Sequence, residues 1–212
     1  FNSPIDQWDM SNVTDIKWMF LNATAFNQDI PNWTLNTITT LNSMFNGATS
    51  FNGDISNWSF PNVTSMNSLF KGADLFNVDI SAWDVSGVTN MFEMFFGAGA
   101  FNQNIGSWDV SSVENFNTMF AGAASFNQDL SSWNVSSAQT MANMFDQAES
   151  FNQNLGSWDV SNVTVFGYFI SESNISTANY DSLLIGWSAL DLQDNIDFRA
   201  TGIQHTLAGY DE

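Results

Sequence analysis

The segment 76–98 reads FNVDISAWDVSGVTNMFEMFFGA, and close variants of it recur every 25 residues along the chain. Each variant opens with Phe-Asn and carries Trp seven residues after its Phe, without an insertion or a deletion. A fixed period of about 20–50 residues is typical of solenoids, propellers and repeat arrays, and a unit this short cannot hold a four-stranded propeller blade. The pattern therefore predicts seven stacked coils, which begin at Phe1, Phe26, Phe51, Phe76, Phe101, Phe126 and Phe151.

Within each coil, numbered here from position 1 at its Phe to position 25, two hydrophobic patterns follow one another. Positions 8 and 10 alternate with polar residues, as in Trp83-Asp84-Val85, which indicates a short strand. Positions 13, 16, 20 and 23 follow the spacing of a helix face, with an N-cap residue type at position 12 and Gly at position 22 in four coils. The sequence therefore predicts an α/β repeat, a right-handed solenoid of seven strand–helix coils over residues 1–175.

The repeat pattern ends in the seventh coil, and a different pattern follows it. Tyr180, Leu183 and Trp187 have helical spacing, and either Ser176 or Thr177 is a suitable N-cap. Because a solenoid needs its last open face covered, residues 176–212 are predicted to form a C-terminal capping segment of the same continuous domain. At the other end the sequence opens directly on a repeat, so we expect the chain to continue upstream.

The charge balance is strongly acidic, since 22 Asp and Glu stand against 3 Lys and Arg, for a formal net charge of -19. This composition excludes a nucleic-acid-binding surface, which needs clustered Lys and Arg, and it argues equally against binding to an anionic membrane surface. No apolar run approaches the roughly 18 residues of a membrane span, so direct membrane insertion is not expected, and no signal sequence is recognisable in this stretch. The absence of Cys excludes disulfides, thiolate zinc sites and Cys nucleophiles.

Catalysis is not expected either. The carboxylates are spread evenly over the coils rather than gathered in one cluster, and few cations are present to stabilise a developing anion. The single histidine, His205, lies in the predicted capping segment with no nucleophile motif around it. We therefore predict that the protein is not an enzyme and that His205 has no special role.

The segment 76–98 resembles the repeat of the BspA-like leucine-rich-repeat surface proteins, which reads roughly FNQDISxWDVSNVTxMxxMFxxA. The sixth and seventh coils match it nearly as well, and the stretch 178–187, ANYDSLLIGW, is similar to the segment that closes many of those arrays. The resemblance implies a leucine-rich-repeat-like solenoid, secretion, a place on a microbial cell surface, and adhesion to proteins or other cells. It implies no catalytic residues.

The first candidate site is a polar strip formed by positions 9 and 11, which flank the last apolar position of the predicted strand. On a leucine-rich-repeat-like strand these positions point outward on the concave side, where carboxylates, amides and hydroxyls form a row of polar groups. The polar strip is either a docking face for a basic or polyhydroxyl partner or a solvated face that keeps the protein soluble, and its variation between coils does not separate the two. Its candidate ligand-binding residues are Asp9, Asp84, Asp109, Asn134, Asp159, Ser86 and Ser111.

The second candidate is a row of carboxylates at position 4 of three consecutive coils, Asp29, Asp54 and Asp79. If coils stack near the inter-strand spacing of about 4.8 Å, neighbouring carboxylates come close enough for one calcium ion to bridge them. The chain has neither an EF-hand loop nor a glycine-rich calcium nonapeptide, and Asp residues in turns commonly bond local amides. Calcium is the one cofactor considered, and a local turn role is the alternative for these residues.

Aromatic and amide side chains supply three further expectations. Phe92 and Phe96 lie four residues apart on the outer face of the predicted helix, so they either contact a partner or fold over neighbouring helices. The Asn at position 2 of every coil is predicted to form an inward ladder whose amides satisfy backbone groups from coil to coil. The Trp at position 8 is predicted to fill the interior and to bond a carbonyl oxygen through its indole N–H.

These observations predict a non-catalytic extracellular recognition or adhesion module of a microbial surface protein. Its partner is expected to be a protein or a glycan on another surface, bound through the polar strip. The alternative function is structural: a rigid acidic spacer that displays other modules and has no ligand of its own.

Overall fold

A computed structural model of the chain describes residues 1–194, 196–204 and 206. Successive 25-residue units lie directly on one another, because backbone N–H groups of one coil donate to carbonyl oxygens of the next coil. In the second coil, Ser43 N donates to Asn67 O at 2.8 Å and Phe45 N donates to Leu69 O at 3.0 Å. The same bonds recur at equivalent positions of the following coils, so the repeat period of the sequence is the stacking period of the structure.

The coils contain neither the helix nor the strand that the periodicity predicted. Over the described residues the structure has one α-helix, α1 (Thr177–Ser188), and it lies after the repeats. The described residues form no continuous strand, and parallel pairing is limited to isolated bridges at position 15, which join Thr40, Ser65, Asn90, Asn115, Thr140 and Val165 in order. The prediction of an α/β, right-handed, leucine-rich-repeat-like solenoid of seven strand–helix coils is therefore wrong.

Successive tight turns take the place of the predicted helix. In the second coil, Met44 N donates to Leu41 O at 3.2 Å and Ala48 N donates to Phe45 O at 3.0 Å, both across three residues. Between these bonds, alternate N–H groups point to the next coil rather than along a helix. Three-residue turns return side chains to one face at intervals of three and four residues, and this explains why the spacing of apolar residues imitated a helix.

The backbone at position 18 explains why no helix can form there. Ser43, Ser68 and Glu93 have φ values of 55°, 54° and 54°. These left-handed conformations interrupt a right-handed helix after less than one turn. Position 22 is left-handed too, with φ of 71° at Gly47, so the glycine predicted to end a helix instead stands third in a turn, where a positive φ favours it.

The interior is built from columns of parallel aromatic rings. Phe51 and Phe76, both at position 1, have ring centroids 6.1 Å apart, and Trp58 and Trp83, both at position 8, have centroids 6.2 Å apart. Phe70 at position 20 stacks on Phe76 at 3.7 Å and connects the columns. Each large ring buries about 150–250 Å², so these columns supply much of the apolar burial of the fold.

The helix α1 was predicted correctly and packs on the seventh coil. Ser176 is its N-cap, and the Ser176 hydroxyl accepts the Asn179 N–H at 3.3 Å. Leu183 and Trp187 are buried on its inner face. A Cβ atom on Gly186 would lie 1.9 Å from the Gly156 carbonyl oxygen, so glycine at this position permits the close contact between α1 and the coil.

Candidate functional site

The polar strip is exposed along the stack, although it lies on irregular backbone and not on a strand. At position 9 the side chains lie between the apolar residues of positions 8 and 10, which point inward. The described structure leaves most of the candidate strip residues exposed and Ser111 half-buried; the exposed members are Asp9, Asp84, Asp109, Asn134, Asp159 and Ser86. The structure therefore brings these residues into one row on the surface.

In five coils, the Asp or Asn side chain at position 9 is held by the serine two residues later. Asp84 Oδ1 accepts the Ser86 N–H at 3.1 Å and the Ser86 hydroxyl at 2.7 Å. Asn134 Oδ1 accepts the same pair of bonds from Ser136, at 3.1 Å and 2.8 Å. These are turns of the Asx type, in which one side-chain oxygen is fixed to the backbone. The second carboxylate oxygen of Asp84 forms none of these bonds and is left for solvent or a ligand.

Hydrogen bonding also sets the charge of the polar strip. The Ser86 hydroxyl and N–H lower the pKa of Asp84 below its ordinary value, and Ser161 has the same effect on the pKa of Asp159. The neighbouring charge of Asp109 acts in the opposite direction on the pKa of Asp84, which shows that the two carboxylates interact between coils. Asp84 and Asp159 are therefore ionised, oriented carboxylates at neutral pH.

The expectation that the polar strip lies on a strand face is wrong, because parallel pairing among the described residues is limited to isolated bridges at position 15, outside positions 9 and 11.

The position-4 carboxylates are engaged in local and inter-coil backbone bonds. Asp29 Oδ1 accepts the Asp54 N–H of the next coil at 2.8 Å, and Asp54 Oδ1 accepts the Ser56 N–H at 2.9 Å. Asp79 Oδ1 accepts the Ser81 N–H at 2.9 Å. Among residues 1–194, 196–204 and 206, no three acidic or His side chains form a group that can hold a metal ion. The observed contacts are those of the turn role.

Phe96 folds over the neighbouring coil rather than standing free. The Lys71 ammonium of the preceding coil lies 4.8 Å from the centroid of the Phe96 ring. The same ammonium lies 2.8 Å from both carboxylate oxygens of Glu93. Phe96 keeps 37% of its surface exposed and Phe92 is half-buried, so the pair forms a small apolar area beside an ion pair. Sequence reasoning missed the Lys71–Glu93 pair, which only the coil register brings together.

The chain's three basic residues all lie over exposed aromatic rings. Lys17 is 5.6 Å from the Trp18 ring and Arg199 is 5.5 Å from the Tyr168 ring, in the same manner as Lys71 over Phe96. Each cation also pairs with a carboxylate. The Lys and Arg side chains are therefore engaged in contacts within the chain, and the described residues form no basic patch.

The Trp at position 8 and the Asn at position 2, which occur in all seven coils, have structural roles. The Trp58 indole Nε1 donates to the Ile30 carbonyl oxygen at 2.8 Å, and the equivalent bond recurs up to Trp187 in α1, as predicted. Asn77 Oδ1 accepts the Asn102 N–H one coil later at 2.9 Å, which confirms the predicted coil-to-coil ladder. The ladder lies on the surface and not inside, because the side chains at position 2 are exposed in the first six coils.

Two further expectations concern His205 and membrane insertion. His205 lies outside the described residues. The described helix is too short to cross a membrane.

A scan against protein families matches the family described as Mycoplasma protein of unknown function, DUF285, over residues 1–98 and 74–182. This family is associated with BspA-like surface repeat proteins. Searches of curated proteins and of solved structures found no significant match. Because the two matched segments together cover residues 1–182, which include all seven repeats and part of α1, the chain belongs to the DUF285 family.

Proposed function

We propose that this chain is a non-catalytic extracellular recognition module of a BspA-like surface protein, which binds a protein or glycan through the polar strip. The observation that supports this most directly is the fixed orientation of the carboxylates of the strip. In Asp84 and Asp159 one oxygen is bonded to the serine two residues later, and the other is directed away from that turn. Groups held in place lose little conformational entropy when a ligand binds them.

The regular spacing of the strip suits an extended partner. Equivalent side chains recur once per coil, so a partner with a row of cationic or hydroxyl groups meets several acceptors at once. The absence of a group of metal ligands among the described residues agrees with direct binding by side chains. The family's association with surface repeat proteins supports an extracellular location for this function.

A spacer function is the second candidate, and the continuous aromatic columns favour it. Parallel rings at position 1 follow one another from Phe26 to Phe151, each buried and in contact with the next. Such a core resists bending and can hold another module away from a surface. On this alternative the polar strip provides solubility alone.

Two double variants separate these functions. Asp84→Lys with Asp109→Lys reverses the charge of the strip, whereas Asp84→Asn with Asp109→Asn removes the charge but keeps the turn bonds, as Asn134 does naturally. We expect the Lys variant to abolish binding to the partner found in a panel of extracellular proteins, glycans and microbial cells. If the Asn variant also loses binding, the partner is cationic. If the Asn variant still binds, the partner is rich in hydroxyl groups.

The matched control is Glu114→Lys with Glu149→Lys, which makes the same change in net charge at exposed positions outside the strip. The control should bind as the wild type does. Equal binding by the Lys strip variant and the wild type contradicts the proposed use of the strip, and the absence of any partner across the panel favours the spacer.

A further inference from the structure

An apolar cavity lies between the seventh coil, α1 and the segment that follows α1, away from the polar strip. Its volume is about 190 Å³. Two side chains from the coil, two from α1 and two from the following segment line the cavity. They are Val163, Phe166, Leu184, Trp187, Leu192 and Phe198. Leu192 keeps 41% of its surface exposed and stands at the rim.

Three aromatic rings that contact one another without stacking form one part of the cavity wall. The Phe166 centroid lies 5.2 Å from the Trp187 ring and 5.6 Å from the Phe198 ring, and Trp187 and Phe198 are 5.7 Å apart. Their planes are inclined by 41°, 77° and 75°. A wall of inclined rings presents both faces and edges to the cavity, and aromatic ligands pair favourably with both.

The cavity exists because the regular stack ends at the seventh coil. The position-20 rings Phe120 and Phe145 are nearly parallel at 5°, whereas the seventh coil has Ile170 at position 20 and its Phe169, at position 19, meets Phe145 at 86°. In earlier coils the apolar side chains at positions 13 and 16 are covered by the next coil. On the seventh coil these positions, Val163 and Phe166, are covered by α1 and the following segment, which do not reproduce the shape of a coil.

The chemistry of the wall restricts the ligand to an uncharged molecule. Ser188 contributes the one hydroxyl among the described lining residues, and that hydroxyl donates to the Ile185 carbonyl oxygen at 2.9 Å. No charged side chain lines the cavity among the described residues. Burying a charge here would carry a large desolvation penalty without compensation.

We propose that this cavity binds one small neutral aromatic molecule, between benzene and indole in size. Apolar protein cavities of about 150 Å³ bind benzene, so the volume here suffices for one such ring. This site is independent of the polar strip, and the failure of either proposal leaves the other standing.

The test uses fluorobenzene as the probe and its ¹⁹F NMR signal as the readout, which reports binding directly and not through stability. We expect saturable line broadening that toluene reverses by competition. Leu192→Trp places an indole at the rim and should abolish the broadening. The matched control, Leu75→Trp, alters another exposed leucine far from the cavity and should leave the broadening unchanged.

A second variant tests the location of the binding site by filling the cavity. Val163→Phe extends a wall residue into the cavity and should also abolish binding, with circular dichroism used to confirm that the variant is folded. Absence of saturable binding to the wild type overturns the proposal. This holds also when binding is absent because other residues of the chain fill the cavity. Binding that survives in Leu192→Trp and in folded Val163→Phe overturns it as well.

Discussion

At the scale of single residues, the Asn at position 2 serves as an acceptor for the following coil. Asn77 Oδ1 accepts the Asn102 N–H at 2.9 Å and the Gln103 side-chain N–H at 3.0 Å. An Asp in every coil would also accept these bonds, but it would stack seven like charges in a row. Asn supplies the same oxygen without this repulsion, which explains why the amide occurs in all seven coils.

Asn77→Ala should lower the free energy of unfolding by about 1 kcal/mol, because the Asn102 N–H loses its acceptor. Urea denaturation measures this change. Asn57→Ala is the control, since Asn57 is exposed and does not belong to the ladder. Equal stability of the two variants would show that the ladder contributes nothing.

At the scale of elements, the turns of positions 16 to 23 take a form that residue types alone do not reveal. Position 18 has positive φ in every coil, yet it carries Trp18, Ser43, Ser68, Glu93, Thr118, Asn143 and Tyr168 and never Gly. A left-handed conformation is unusual for a β-branched residue such as Thr118, whose φ is 60°. The conformation persists because its N–H donates to Ala142 O of the next coil at 2.8 Å.

Thr118→Gly distinguishes turns from a helix in these coils. In a helix this change would cost about 0.3 kcal/mol, because Gly has a lower helix propensity than Thr, whereas at a positive φ glycine removes the steric strain and should cost nothing or stabilise the protein. Thermal unfolding gives the sign of the effect. Thr89→Gly, at an exposed position without positive φ, should destabilise the protein. A clear loss of stability in Thr118→Gly would contradict the turn conformation.

At the scale of the whole molecule, the stack carries a large unbalanced charge. The net charge of -19 lies mostly on exposed carboxylates, and the three basic residues are already paired. Hydrogen bonds lower the pKa of Asp84 and Asp159, whereas burial and the nearby Glu172 raise the pKa of Asp146. Self-repulsion therefore opposes the compact state at neutral pH, and the aromatic columns must overcome it.

Added salt should therefore raise the melting temperature at pH 7. The Debye length falls from about 30 Å at 0.01 M to about 8 Å at 0.15 M salt, so repulsion between distant coils is screened. Differential scanning calorimetry at the two salt concentrations measures the shift. A variant with Glu114→Gln and Glu149→Gln should show a smaller shift, and a melting temperature that does not respond to salt would contradict this account.

The sequence determined the repeat period, the aromatic interior, the Trp and Asn bonds between coils, and the existence of α1, whose N-cap it left between Ser176 and Thr177. These features depend on residue type and spacing along the chain, which can be read without a structure. The same reading expected the polar strip on the surface, and most of its residues are exposed, because inward and outward positions alternate around positions 8 to 10.

Only the tertiary structure decided how the backbone runs between those positions. A spacing of three and four residues fits a helix and a series of tight turns equally well, and bonds from Ser43 and Phe45 to the next coil select the turns. Contacts between residues distant along the chain also depend on the coil register, as in the Lys71–Glu93 pair and the aromatic cavity beside α1. Periodicity predicts which side chains are buried, but the hydrogen bonds between coils determine the conformation that buries them.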